Sequence, residues 1–273
     1  MISPEFFFNA CKSEGVDFFS GIPDSLLKNI CSYIEDNTPL ENHIIAANEG
    51  NALAIGIGYH LSTGKTPLIY MQNSGLGNAI NPLLSLADQD VYSVPLLMMI
   101  GWRGEPGIKD EPQHKKQGRV TVALLEAMEI PYKVLTADNN IGEVEEALKA
   151  MLSVTREENK PCALLIKKGL FEEYKYQSDV SYERPLYREQ AIEIVVDSLN
   201  EADIVVSTTG VASRELFEYR EKLNIGHKKD FLTVGGMGHS SQIALGVALQ
   251  KKDRNVYCLD GDGSLIMHMG ALA

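Results

Sequence analysis

Cysteine is scarce: the 273-residue chain has four, Cys11, Cys31, Cys162 and Cys258, and no two form a C-x-x-C pair. That spacing excludes a zinc ribbon and a disulfide framework, and leaves buried thiols in a reducing compartment as the expectation. Positive charge is also short, with 25 Lys and Arg against 37 Asp and Glu and a formal net charge of −12. So acidic a chain is expected to bind neither nucleic acid nor an anionic membrane surface, and any small anion must be met by a local basic cluster. No apolar run reaches the length of a membrane span, and MISPEFFFNACKSEGVDFF has no basic n-region of a signal peptide. The remaining composition, 44% hydrophobic and 23% charged, is that of a packed globular protein. The expected location is the cytoplasm.

What the chain does have is alternation. Strand-like runs VDFFSGI, HIIAA, PLIYMQ, VPLLMMIGW and PCALLIKKG are interleaved with helical patterns such as NEGNALAIGIGYHLSTG and IGEVEEALKAMLSVTREE. Residues 172–188 turn polar and tyrosine-rich and read as a linker. A second series follows, with strands over DIVVSTTG, FLTVGGMG and NVYCLDGDG. The pattern predicts an α/β fold of two domains, 1–171 and 189–273, each a mainly parallel sheet covered by helices. With two or three strands, the second is expected to be incomplete.

Five stretches carry chemistry. In Leu259-Asp260-Gly261-Asp262-Gly263-Ser264, glycines let backbone N–H groups approach a phosphate, and Asp262 is a hard ligand suited to a divalent cation. The same D-G pairs are ordinary turn formers. A second glycine turn, Gly235-Gly236-Met237-Gly238-His239, is not G-x-G-x-x-G, so a dinucleotide site fits poorly. Glu49, in ANEGNALA, lies where a strand passes into a helix of small residues; it is either a dipole-stabilised surface charge or a buried functional carboxylate. Gln72-Asn73-Ser74-Gly75 reads as a helix cap or as a ligand-contacting turn. GWRGEPGIKDEPQHKKQGR (101–119), with Arg103, Lys109 and His114, reads as an excursion loop, either a solvated charge run or an anion-recognition element.

Taken in order, GIPDSLL, ANEGNALA, MQNSGLGNAINPLLSLAD, the 101–119 loop, GGMGHSSQIALG and LDGDGSLIMHMGALA resemble the thiamine-diphosphate-dependent decarboxylases. Within them the likeness is to the branch acting on phosphono- and sulfo-substituted 2-oxo acids. The resemblance covers nearly the whole chain. It implies a pyrimidine-binding domain (1–171), a linker (172–188) and a diphosphate-binding domain (189–273). It also implies thiamine diphosphate and Mg²⁺ as cofactors and a small anionic 2-oxo acid as substrate. The oligomer implied is at least a homodimer, with the active site between subunits. Glu49 is implied to hydrogen-bond the aminopyrimidine ring, since a buried carboxylate shares a proton with such a ring readily. Asp24 and His114 are implied to transfer protons, and Arg103 and Lys109 to hold the anionic tail. Gln72, Asn73, Ser74 and Gly75 are implied to line the cofactor on one side. Gly236, Met237, Gly238, His239, Gly261, Gly263 and Ser264 would do so on the other, with Asp262 on Mg²⁺.

One departure stands out. The family's metal motif continues roughly 25 residues past G-D-G to an asparagine, in the spacing the resemblance supplies, whereas ten residues follow Gly263 here. Truncation of the second domain is the expectation. Two other readings fit the same residues: a subunit completed by a separate chain, or a non-catalytic cofactor-binding or regulatory module.

Overall fold

The computed structural model describes residues 1–177 and 185–273. The chain divides into two compact units, Met1–Asp179 and Val180–Ala273. The part of the expected linker at 178–184 lies outside the described residues. Its start, at 172–177, is bound to the first unit: the Tyr174 hydroxyl donates to Asp36 (3.0 Å) and the Tyr176 hydroxyl to Glu35 (2.7 Å).

In the first unit the elements run α1 (Pro4–Ser13), β1 (Phe19–Gly21), α2 (Lys28–Asn37), β2 (His43–Ile45), α3 (Glu49–Thr63) and β3 (Leu68–Gln72). They continue with α4 (Leu76–Pro82), β4 (Leu97–Gly101), α5 (Pro112–Ala127), β5 (Tyr132–Leu135), α6 (Ile141–Glu157) and β6 (Cys162–Ile166). Local chemistry sets the helix ends. The Asn48 side chain caps α3 by accepting from Asn51 N, and Gly64, at φ 71°, ends it in the left-handed conformation. A capping box of Asn140 and Glu143 opens α6.

The six strands form one all-parallel sheet in the order β2-β1-β3-β4-β6-β5. Side chains alternate across it with the period of two that a strand imposes. Leu68 and Tyr70, Leu97 and Met99, and Cys162 and Leu164 face one core under α1, α2 and α6. Ile69 and Met71, Met98 and Ile100, and Ala163 and Leu165 face the other, under α3, α4 and α5. Burial on both faces explains why these strands read as unbroken apolar runs.

Two local readings of the sequence change. The 101–119 stretch is a loop only as far as Glu111; Pro112, tolerated in a first helical turn, starts α5, and His114 through Arg119 are helical. Tyr132–Leu135, too short and polar to announce itself, is the edge strand β5.

The second unit contains α7 (Arg188–Asp197), β7 (Ile204–Ser207), α8 (Val211–Leu223), β8 (Asp230–Leu232), α9 (Ser240–Gln250), β9 (Val256–Leu259) and α10 (Asp262–Met267). Its strands form a parallel sheet ordered β8-β7-β9. Its core is small, built on Ile192, Val196, Val205 and Leu216. Among the described residues no helix is long and apolar enough to cross a membrane.

Candidate active site

In the first unit the chemistry-bearing residues collect at the carboxyl ends of β1, β2, β3 and β4, where parallel sheets place ligands. Glu49 is the first residue of α3 and only 5% exposed, so the surface-charge alternative is excluded. Its Oε2 accepts from Asn78 Nδ2 at 2.8 Å. Its other oxygen lies against the bare Cα of Gly75: a Cβ there would sit 2.4 Å from Oε1 and 2.5 Å from Cγ. Gly75 is therefore a spatial requirement of this carboxylate. The absent side chain leaves room for the carboxylate beside it.

Neighbouring residues of the turn have distinct partners. Gln72 Nε2 donates to Ser74 Oγ at 2.5 Å. Asn73, 1% exposed, is engaged within the protein. Its Nδ2 donates to the Arg103 carbonyl (2.9 Å) and to Thr121 Oγ1 (2.8 Å), while its Oδ1 accepts from Arg103 N (3.0 Å). Asn73 thus ties the end of β3 to the loop after β4 and to α5.

A second carboxylate, Asp24, lies in the turn after β1 and is 7% exposed. It too needs a glycine, since a Cβ on Gly101 at the end of β4 would lie 2.3 Å from its Oδ2. The same oxygen accepts from Leu26 N at 3.1 Å. Burial raises its pKa to about 6 against the pull of Arg103's charge and of nearby backbone N–H groups. Asp24 therefore exchanges a proton near neutrality. His114, on α5, is half-buried, and burial followed by the Arg103 charge pushes its pKa below the usual value.

Because Asp24 keeps its proton longer when folded, its ionisation opposes folding increasingly as pH rises from about 4 to about 6, and fully above that. The cost is on the order of 3 kcal/mol at 1.36 kcal/mol per pKa unit. Asp24→Asn should accordingly raise the melting temperature at pH 7, with the gain vanishing towards pH 4. Melting curves at unit pH steps check this; a gain independent of pH would contradict it.

Arg103 is held rigidly. Its Nε and Nη2 donate to the two carboxylate oxygens of Asp110 (2.9 and 2.6 Å), and Nη1 donates to Ser25 Oγ (2.8 Å). Asp110 also accepts from Gly104 N and Glu111 N, both at 2.8 Å, which closes the loop on itself. The Arg103 charge and the backbone donors hold its carboxyl well below the usual range. Ser25, Asn78 and Asp110 were not legible as site residues. Asn78 is three residues past Gly75, and Asp110 is one of three acids in the basic stretch, with Glu105 and Glu111, so the sequence alone did not single it out as the partner of Arg103.

In the second unit the two glycine turns abut. Ser264 Oγ accepts from both Gly238 N and Thr208 Oγ1 at 3.0 Å. Gly236 and Gly238 have φ of 66° and 90°, a conformation that favours glycine. The His239 ring lies 4.8 Å from that of His268. A Cβ on Gly263 would meet the Met237 side chain at 3.3 Å, and Gly261 lies beside Thr208. Asp262, exposed at the start of α10, accepts from its neighbour Gly263 N at 2.8 Å. Asp260 Oδ2 and His268 Nε2 are buried without a hydrogen-bond partner.

The residues present fit thiamine diphosphate in the features each unit shows. One unit has a buried carboxylate beside a cradle that a Cβ would fill, and the other has glycine turns with unpaired polar atoms. For a metal ion the fit extends to the single carboxylate of Asp262. Among the described residues no three or more His, Cys, Asp or Glu side chains gather to hold one.

Comparison with known proteins agrees with this architecture. The N-terminal TPP binding domain model of thiamine pyrophosphate enzymes matches residues 4–125, and the C-terminal TPP binding domain model matches 209–273. The chain belongs to the thiamine pyrophosphate enzyme family. Within it, the chain is 32% identical to phosphonopyruvate decarboxylase of Streptomyces viridochromogenes, over 95% of this chain and 66% of that protein. It is also 36% identical to sulfopyruvate decarboxylase subunit alpha of Methanocaldococcus jannaschii, over 61% of this chain and 94% of that subunit. Subunit beta from the same organism is 37% identical over 30% of this chain and 40% of that subunit. The chain thus spans about two thirds of the length of the phosphonopyruvate decarboxylase it matches.

Proposed function

We propose that the chain serves thiamine-diphosphate- and Mg²⁺-dependent decarboxylation of 3-phosphonopyruvate to phosphonoacetaldehyde and CO₂, a step of phosphonate biosynthesis. The observation that carries this reading is Glu49, a carboxylate buried at a helix start against the bare Gly75, in a chain of this family. When bound, thiamine diphosphate supplies the electron sink that lets a 2-oxo acid lose its carboxylate.

Glu49 would hold and return a proton at Oε1, the oxygen facing Gly75, while Asn78 fixes Oε2. Asp24, titrating near neutrality, and His114, kept neutral at pH 7, would manage protons at the reacting carbons. Gln72, Ser74 and Gly75, with Asn73 bracing the turn, would position the cofactor's ring. Gly236 to His239, Gly261, Gly263 and Ser264 would line its diphosphate, with Asp262 as a ligand to Mg²⁺. A cavity of about 430 Å³ lined by Ser25, Trp102, Arg103 and Lys109 offers the anionic tail a place, with Arg103 and Lys109 as its partners. A homo-oligomer sharing the active site between subunits, working in the cytoplasm, completes the proposal.

Similarity to subunits alpha and beta supports a second reading, sulfopyruvate decarboxylation, with the two units of this chain corresponding to separate polypeptides there. A coupled aldehyde assay with phosphonopyruvate, sulfopyruvate and pyruvate, with and without thiamine diphosphate and Mg²⁺, decides between them. Cofactor-dependent turnover of phosphonopyruvate ahead of the other two is expected. Arg103→Leu should lower kcat/KM for phosphonopyruvate at least tenfold more than for pyruvate, since charge-assisted hydrogen bonds are the strong ones. Equal losses on both acids would remove Arg103 from the substrate site.

A further inference from the structure

The charges around the 430 Å³ cavity do not balance. Five ionised side chains line it: Arg103, Lys109, Lys168, Glu105 and Asp110. Both carboxylates already have partners. Asp110 takes the Arg103 fork, and Glu105 pairs with Lys167, whose ammonium also sits 5.6 Å above the Trp102 ring. Among the described residues, neither Lys109 nor Lys168 pairs with a carboxylate. Two uncompensated cations therefore share one small cavity in a protein of net charge −12. Lys168 follows the end of β6, and Lys109 comes from the loop after β4, the neighbouring strand. The sheet itself brings them to one edge. Arg103 uses three N–H groups on Asp110 and Ser25, so of the five on a guanidinium about two remain, in an orientation fixed by the fork.

We propose that this cavity is a subsite for a doubly charged tetrahedral oxyanion, the phosphonate end of the substrate, and that Lys168 is a specificity-determining residue within it. Naming the ligand as a substrate's tail rests on the decarboxylase reading; the anion site itself does not. Two spare positive charges match a phosphonate dianion better than a singly charged sulfonate, so the site selects between the two acids that the family relatives leave open. Arg103 supplies a rigid planar donor, and the two lysines supply compact mobile charge.

Calorimetric titration of the whole chain with methylphosphonate, which cannot be decarboxylated, tests the site without turnover. Saturable binding about tenfold tighter than that of methanesulfonate is expected. Lys168→Gln should abolish that preference and Lys168→Arg should restore it. Lys149→Gln, on the surface of α6, should leave it unchanged. Binding unaffected by Lys168→Gln, or weakened equally by Lys149→Gln, would overturn the proposal. In the coupled assay Lys168→Gln should raise KM for phosphonopyruvate about tenfold, keep kcat and spare pyruvate. Inorganic phosphate should compete with phosphonopyruvate; competition with methylphosphonate alone would mark a free-phosphate site and overturn the tail assignment. Loss of methylphosphonate binding in Lys168→Gln, with no turnover of any acid by the unsubstituted chain, would keep the site and reject the decarboxylase. Turnover indifferent to Lys168→Gln would do the reverse.

Discussion

Glu49→Gln is expected to lower both decarboxylation and exchange of the C2 proton of bound thiamine diphosphate by two to four orders of magnitude, about what removal of a positioned acid–base group costs. The fold should survive the change. Glutamine is the same size, its amide oxygen can still accept from Asn78, and α3 keeps its Asn48 cap. What is lost is the ability to hold and release a proton in a site with 5% exposure. A companion variant separates proton chemistry from mere presence. Gly75→Ala keeps the carboxylate but places a methyl 2.4 Å from Oε1 and 2.6 Å from Cδ, so Glu49 must rotate out of position. Activity should fall in both variants, while cofactor affinity, read from the ligand-dependent rise in melting temperature, should fall mainly in Gly75→Ala. Proton exchange persisting in Glu49→Gln would remove Glu49 from its assigned role.

The alternation of apolar runs with helical patterns made the parallel α/β plan legible, because strands buried on both faces must be apolar throughout. Glu49 was legible as a residue at a strand-to-helix junction, but its burial was not. That depends on Gly75, 26 positions on, leaving a gap no local pattern records. Asp24 and Gly101 form the same kind of pair, a carboxylate accommodated by a missing side chain on another strand's end. The basic stretch looked like a loop because of its four glycines and two prolines. One of those prolines starts α5, and one of those glycines lies inside it for contact rather than flexibility. Arg103 was visible as a cation, yet its fork with Asp110 is a tertiary fact of the closed loop. Strand β5 escaped notice because Tyr132-Lys133-Val134-Leu135 is only four residues long and carries an exposed lysine in its middle.

Gly118→Ala should destabilise the first unit strongly. Gly118 lies inside α5, where alanine ordinarily stabilises by up to about 1 kcal/mol over glycine. Here an added Cβ would lie 1.7 Å from the Gly104 carbonyl oxygen and 2.7 Å from that of Arg103. Both obstacles are backbone, so no side chain can swing aside, and the loop after β4 must lift off the helix. Lifting it would strain three further contacts: Trp102 Nε1 to the Gly118 carbonyl at 2.9 Å, Asn73 to the Arg103 backbone, and the Gly104 turn at φ 68° packed on the His114 carbonyl. Overpacking of this kind costs about 1–3 kcal/mol even where side chains can yield, so a loss of about 3 kcal/mol or more is expected. At about 2–4 °C per kcal/mol for a chain of this size, the melting temperature should drop by roughly 6–12 °C. Gly58→Ala supplies the contrast. It sits in the middle of α3 with nothing within 4 Å of the added methyl, and it should raise the melting temperature slightly. The loosened loop also carries Arg103 and Lys109, so Gly118→Ala should lose the proposed preference for phosphonopyruvate over pyruvate at temperatures where it remains folded. If Gly118→Ala melted with the wild type, the close seating of the loop on α5 would be refuted, and with it the rigid placement of Arg103 on which the proposed anion selection depends.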